Sequence, residues 1–365
     1  MNRMEAYSWV LTVCAGLRLS QAKTLGDLVA GALDVGRVSL AELGRRLTGT
    51  TAKHGIKRAW RFTNNHRVQV SSAMQGVIRQ LIRPKRKKPL VVSIDWVQVR
   101  QFRTIALCAA IDGRAIPLLW ASYPEEEFHQ RQHQLEEAVL RQFRTMLPDG
   151  VRVILLADRG FGRTEMARLC QELRFQYVIR IVPDVWVQAT DYEGNLRDFP
   201  VKKGICRCLR NVAYRKRNPV DHHIVIRWKK GLAKKRDECW FLMTNLQGNA
   251  VRISELFAKR MTIEEMFRDY KSRRNGFALR NTQIRRADRF DRLLLILVLA
   301  YILLLGIGLR ARQLYCPQNW CSNTRQSECS VFTIGKRMRH LVDLTIHQII
   351  DALIRATQNA APNWG

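Results

Sequence analysis

LVVSIDWVQV, residues 90–99, is the stretch on which the reading of the fold turns. Apolar residues run on both sides of Asp95, the pattern of a strand buried on both faces. A carboxylate inside such a strand costs on the order of several kcal/mol unless it is paired or bound to a metal. Fold and chemistry are therefore posed together. Downstream, RTIALCAAI (103–111) and AIPLLWASY (115–123) read as two more strands, with Gly113 in the turn between them, so the three form antiparallel hairpins. A charged helical segment follows from Glu125 to Met146, then an apolar strand in VRVILLADRG (151–160), a helix in TEMARLCQEL (164–173) and a strand in QYVIRIV (176–182).

Three hairpin strands followed by helix, strand, helix, strand is the order of an RNase H-like α/β core, a mixed sheet flanked by helices. Its first part spans 90–182 and its second 249–310, separated by a β-rich insertion at 183–248 with short alternating runs such as HHIVIRW (222–228) and ECWFLMTNL (238–246). Residues 1–85 read as a helical DNA-binding domain, joined to the core by the polar, proline-bounded PKRKKP (84–89). Within it, SLAELGRRLTGTTAKHGIKRAWRFTNN (39–65) predicts a helix capped by Ser39 with Glu42 three residues on, a TGTT break and a second helix carrying Lys53, Lys57, Arg58 and Arg61. That pattern suits a DNA-binding helix-turn-helix and equally a helical hairpin with a solvated basic face. Residues 311–365 read as a C-terminal helical region and the expected place of a dimer contact.

The charge balance points to the partner. Lys and Arg number 62 against 31 Asp and Glu, a net charge of +31 spread through every segment. A compact chain so charged repels itself unless a polyanion neutralises it, which implies nucleic acid rather than a small-molecule substrate. Nine cysteines without a Cys-x-x-Cys pair suggest thiols in a reducing cytoplasm rather than a zinc site. SWVLTVCAGL (8–17) imitates a signal-peptide core but is interrupted by Arg18, with no small-x-small cleavage site following. LLLILVLAYILLLGIGL (293–309) is long enough to suggest a membrane span, yet arginines flank both ends, and a helix buried on all sides reads the same way. No membrane is expected as a partner.

Asp158 ends the second apolar strand, and adjacent central strands would bring it beside Asp95. Two such carboxylates repel unless a divalent cation lies between them, and oxygen ligands suit Mg²⁺ or Mn²⁺. A third carboxylate is expected from a helix. In TIEEMFRDYKSRRNGF (262–277), a continuous helix from Ser254 to Arg274 places Phe257, Arg260, Glu264, Arg268 and Lys271 on one stripe, beside an apolar face of Leu256, Ile263, Phe267 and Tyr270. Glu264 then faces the sheet, and Glu265 is rotated about 100° towards solvent. A helix restarting at Thr262 would instead make Thr262 and Glu265 a capping box, with Glu264 still on its own face.

These residues carry a resemblance. The sequence resembles bacterial insertion-sequence transposases of the DDE, RNase H-like superfamily, in the subgroup with a Tyr-x2-Arg-x3-Glu-x6-Lys signature. Here the positions read Phe257, Arg260, Glu264 and Lys271, and the SIDW and ADRGFG contexts of Asp95 and Asp158 look like the family's two aspartates. The resemblance implies cut-and-paste DNA transposition, with Asp95, Asp158 and Glu264 as catalytic, metal-holding residues for two Mg²⁺ or Mn²⁺ ions. It implies phosphate contacts from Arg260, Arg268 and Lys271 and from the residue at 257, where the family's tyrosine hydroxyl is replaced by a phenyl ring. Partners would be terminal inverted repeats and target DNA, bound by a homodimer in the bacterial cytoplasm at the nucleoid. Trp228 and Trp240 are candidates to hold a flipped base, though each reads as well as core. The other readings are a catalytically impaired, transposase-derived DNA-binding protein and a stand-alone RNase H-like nuclease.

Overall fold

β1 (Leu90–Val99), β2 (Phe102–Ala110) and β3 (Ala115–Pro124) pair antiparallel in succession, with Gly113 at φ +67° in the second turn, where a side chain would strain the backbone. The structure, a computed structural model, describes residues 3–34, 38–84, 86–214, 221–228, 239–274, 276–322, 329–341 and 343–362. After the hairpins, α6 (Glu125–Met146) begins with three glutamates at the positive end of its dipole. β4 (Val153–Ala157), α7 (Thr164–Glu172) and β5 (Gln176–Arg180) follow, and β1, β4 and β5 run parallel. The strand order β3-β2-β1-β4-β5, a mixed sheet with helices on its faces, is the RNase H-like core that the element order predicts.

The β-rich segment does not form a second layer. β6 (Trp186–Ala189), β7 (Tyr192–Asn195), β8 (Cys206–Tyr214), β9 (Asp221–Arg227) and β10 (Trp240–Thr244) extend the same sheet past β5, in the order β10-β9-β8-β6-β7, to ten strands among the described residues. The charged turn expected between HHIVIRW and ECWFLMTNL falls largely at 229–238, outside the described residues.

Side chains along the central strands alternate between two cores, as strand pleating requires. Val92 and Ile94 of β1, with Leu155 and Ala157 of β4, face the larger one. Val91, Ile154 and Leu156 face a smaller one, closed by Ile253, Leu256 and Phe257 of α8 (Ala250–Ala258). α9 (Met261–Lys271) places Ile263, Met266 and Tyr270 in the larger core instead. The helix restarts on the same side of the sheet, where Met266 meets Cys108, the partner of Ser93 in the β1–β2 register. Backbone i→i−3 bonds from Lys259, Arg260, Thr262 and Ile263 tighten the chain across the junction. The continuous helix from Ser254 to Arg274 is not formed, and the new helix begins at Met261.

α10 (Ala287–Leu314) contains the apolar run as a core helix: its most apolar window is wholly buried, so it is not a membrane span. α11 (Val331–Met338) and α12 (Ile346–Asn359) pack their apolar faces on it. α11 approaches α10 closely, because a Cβ on Gly335 would lie 1.9 Å from the Leu304 carbonyl oxygen. The C-terminal segment expected to mediate dimerisation thus uses these apolar faces within its own chain.

The N-terminal helices are α1 (Arg3–Val13), α2 (Leu19–Leu33), α3 (Leu40–Arg45), α4 (Ala52–Asn64) and α5 (Val70–Leu81). Ser39 caps α3 by accepting the Glu42 N–H at 3.1 Å, but the Glu42 carboxylate turns to Arg45 rather than completing a capping box. Thr51 caps α4 in the same way through the His54 N–H.

Candidate active site

Parallel pairing of Ile94 with Ala157 puts the next residues, Asp95 and Asp158, side by side. β4 ends at Ala157 while β1 runs on, paired only with β2, so the sheet opens at the carboxyl end of β4. This is where parallel strands generally present functional groups. By strand alternation Asp95 shares a face with Val91, and Asp158 with Ile154 and Leu156, so both carboxylates turn to the side covered by α8. Their side chains remain 22% and 32% exposed.

Glu264 enters from the first turn of α9, just after the junction with α8. Between it and the aspartates lies Arg260, whose side chain is only 8% exposed. Its Nη1 is 3.4 Å from Asp95 Oδ2, and its Nη2 is 2.8 Å from Glu264 Oε1 and 4.0 Å from Asp158 Oδ2. The three carboxylates converge on this one guanidinium. Three negative groups around one positive leave two charges uncompensated when all are ionised. Asp95 records the strain: burial pushes its pKa up to about 6, with Asp158 and Glu264 adding to the rise and Arg260 and the Trp96 N–H opposing it.

No three acidic, histidine or cysteine side chains come together as a ready metal cage among the described residues. The donor set nonetheless fits a hard divalent cation. It consists of carboxylate oxygens with an excess negative charge, and Asp158 Oδ1 is sealed from solvent without a hydrogen-bond partner.

The site opens into a cleft of about 770 Å³ whose walls include Gln98, Phe267, Arg268, Lys271, Arg273 and Arg280. The Lys271 pKa is lowered by burial and by Arg280, an arrangement a bound anion would relieve. Arg268 lies in the cleft wall, 2.5 Å from Glu265. Glu265 therefore serves as an ion-pair partner, also 3.8 Å from Arg114, and not as the expected cap: Thr262 Oγ1 donates instead to the Lys259 carbonyl at 2.7 Å. Met266, rather than Phe267, fills the buried face of α9, which leaves Phe267 in the cleft wall.

Other candidates lie elsewhere. Phe257 is 3% exposed and T-stacked on Trp240 at 5.3 Å, with the Arg260 guanidinium 5.9 Å from its ring, so it supports that arginine from within the smaller core. Trp228 is half-buried with Nε1 sealed from solvent, and Trp240 is half-buried against Phe257. On α4, Lys53, Lys57 and Arg61 are exposed, whereas Arg58 turns inward to Asp27 at 2.9 Å.

Two groups of residues escaped the sequence reading. Glu136 of α6 is fully buried, accepts hydrogen bonds from Trp96 Nε1 at 2.8 Å and Gln132 Nε2 at 2.9 Å, and pairs with Arg163. It thereby ties the residue after Asp95 to the loop after Asp158. Its signal was present, since Glu136, Val139, Leu140 and Phe143 share one helical face. Asp269 of α9 binds Arg114 at 2.6 Å and the Tyr301 hydroxyl at 2.9 Å, fixing α9 to the β2–β3 turn and to α10.

A search of curated proteins returned no match to the chain. The family profile described as a transposase DDE domain matches residues 86–303, more than half of the 365 residues, and its span includes both aspartates, Arg260 and Glu264. With the RNase H-like sheet and the converging carboxylates already in place, the match settles the assignment: the chain belongs to the transposase DDE domain family.

Proposed function

We propose that the protein is a cut-and-paste DNA transposase, which cleaves the ends of a mobile element and joins them to target DNA. The observation that carries this reading is the convergence of Asp95, Asp158 and Glu264 at the mouth of a basic cleft. Asp95, Asp158 and Glu264 would hold two Mg²⁺ or Mn²⁺ ions. Bound divalent ions supply Lewis-acid activation of a water or 3′-hydroxyl nucleophile and neutralise charge on the leaving oxygen. Arg260 keeps the carboxylates together, Glu136 holds the strand end and loop that carry the aspartates, and Lys271, Arg268 and Arg280 position the phosphodiester without reading its sequence. Residues 1–85 would bind the terminal repeats through Lys53, Lys57 and Arg61. Coordinated cutting of two ends calls for a homodimer assembled on DNA.

The test uses a supercoiled plasmid carrying the coding sequence with its native flanks. With Mg²⁺ or Mn²⁺ the purified protein should excise the element, Glu264→Gln should abolish cleavage, and Glu265→Gln should leave it within about twofold, since 265 lies in an ion pair on the cleft rim. Cleavage by Glu264→Gln at the wild-type rate would refute the site. A second reading, a DNA-binding descendant without catalysis, draws on the hydroxyl missing at Phe257. DNA binding with no metal-dependent nicking would favour it.

A further inference from the structure

A basic track leaves the cleft and ends on an exposed tryptophan. Arg280, in the cleft wall, belongs to a 3₁₀ turn (Leu279–Asn281), and from Thr282 the chain runs without helix to the start of α10. Asn281, Gln283, Arg285 and Arg286 face outward, while Thr282 and Ile284 are each 5% exposed. Gln101, at the tip of the β1–β2 hairpin, anchors this strip by donating to the Ile284 carbonyl at 3.1 Å. At its far end Arg286 reaches Asn64 of α4 at 3.4 Å, and buried Arg292 donates to the Thr63 carbonyl at 2.6 Å, which locks α4 against α10.

There the Arg289 guanidinium covers one face of the Trp60 ring at 5.1 Å, while Trp60 stays 50% exposed. Its neighbours on the outer face of α4 are Lys53, Lys57 and Arg61. α4 contains no acidic residue. Asp288, the acid nearest the strip in sequence, is neutralised by Arg286 and Arg292. An aromatic platform flanked only by cations matches a nucleic acid, with phosphates for the cations and sugar or base edges for the ring.

We propose that Arg280, Arg285, Arg289, Trp60 and the outer face of α4 form one continuous docking surface for the duplex whose phosphodiester lies in the cleft. The proposal rests on the DNA-processing reading above. Arg286 lies six positions beyond Arg280, at most about 20 Å of extended chain. At 3.4 Å per base pair, that span covers at most about six base pairs of the duplex between the cleft wall and α4.

The experiment is fluorescence anisotropy with the full chain and labelled hairpin duplexes of arbitrary sequence, with stems of 5 and 20 base pairs, over a range of NaCl concentrations. The wild type should bind the longer duplex at least fivefold more tightly. Trp60→Ala should remove that gain and leave binding of the shorter duplex unchanged. Arg285→Gln with Arg289→Gln should lower the slope of log K against log salt by about 1.8 on the longer duplex only. Because Trp60 and Arg289 also contact each other, Arg285→Glu alone, at an exposed position, provides a variant whose fold is not at risk. Wild-type length dependence and salt slope in all of these variants would overturn the track while leaving the cleft reading intact. Failure of the wild type to bind either duplex would overturn the DNA-processing reading and the track with it.

Discussion

Replacing Arg260 by methionine removes the cation on which Asp95, Asp158 and Glu264 converge, while keeping most of the side-chain volume. In the wild type the guanidinium lies 2.8 Å from Glu264, 3.4 Å from Asp95 and 4.0 Å from Asp158. Removing one member of a fully buried ion cluster costs about 3–5 kcal/mol. These carboxylates keep 22–35% of their side-chain surface, so water screens part of the repulsion and the expected loss is roughly 2–3 kcal/mol. For a chain of this length that is a fall in Tm of about 3 °C at pH 8 in EDTA. The loss depends on pH in a definite direction. Asp95 already has a folded pKa near 6, above that of an unfolded aspartate, so its ionised form costs stability above pH 6 and nothing below about pH 4. Without Arg260 that cost grows, so the deficit should be largest at pH 8 and shrink towards pH 5. A divalent ion should then replace the missing charge: 10 mM MnCl₂ should raise the Tm of Arg260→Met more than that of the wild type. Differential scanning fluorimetry at pH 5 and 8, with EDTA and with MnCl₂, measures all of this. A variant as stable as the wild type in EDTA at pH 8, or with a smaller Mn²⁺ shift, would refute the view that Arg260 is the internal counter-ion of the cluster.

Two further predictions follow from buried charges. Asp291, with Oδ1 sealed from solvent and Oδ2 accepting from the Ser122 N–H at 3.2 Å, has its pKa pushed up to about 7 by burial. The folded state therefore holds a proton that the unfolded state releases between about pH 4 and 7, and stability falls as pH rises through that window. Asp291→Asn should flatten this dependence and be more stable than the wild type at pH 8 by on the order of 3 kcal/mol, with little difference at pH 4; parallel melting curves at both pH values would contradict it. Glu136→Gln would leave Arg163, 12% exposed, without its carboxylate, and should cost about 3–5 kcal/mol in urea unfolding; a loss below about 1 kcal/mol would show that Glu136 does not tie the two strands together.

Much of the core was legible because its signals are local. Strand alternation, the Gly113 turn and the length of the apolar runs placed β1 to β5 and α6 within a few residues, since each depends on neighbours along the chain. Asp95 and Asp158 stood out as polar residues at apolar positions. The break between α8 and α9 was not decidable, because both the continuous and the restarted helix satisfy one periodicity. The structure decides it through the i→i−3 hydrogen bonds from Lys259, Arg260, Thr262 and Ile263, which end α8 and restart the helix at Met261. The inward turn of Arg58 depends likewise on Asp27, thirty-one residues earlier in the chain.

By itself, then, the chain's order of residues determined the element order, the three carboxylates and a cationic surface in search of a polyanion, because periodicity, desolvation and net charge are properties of sequence. Tertiary structure alone decided what surrounds those carboxylates. The parallel register of β1 and β4 set the aspartates side by side, and the packing of the α8–α9 junction over that face delivered Glu264 together with Arg260. That residue had been expected to grip phosphate from a helix face, and it lies instead among the acids. Whether an arginine meets a phosphate or a carboxylate is settled by distances of 3–4 Å across chain separations of more than a hundred residues, as between Arg260 and Asp95, and no local pattern encodes them.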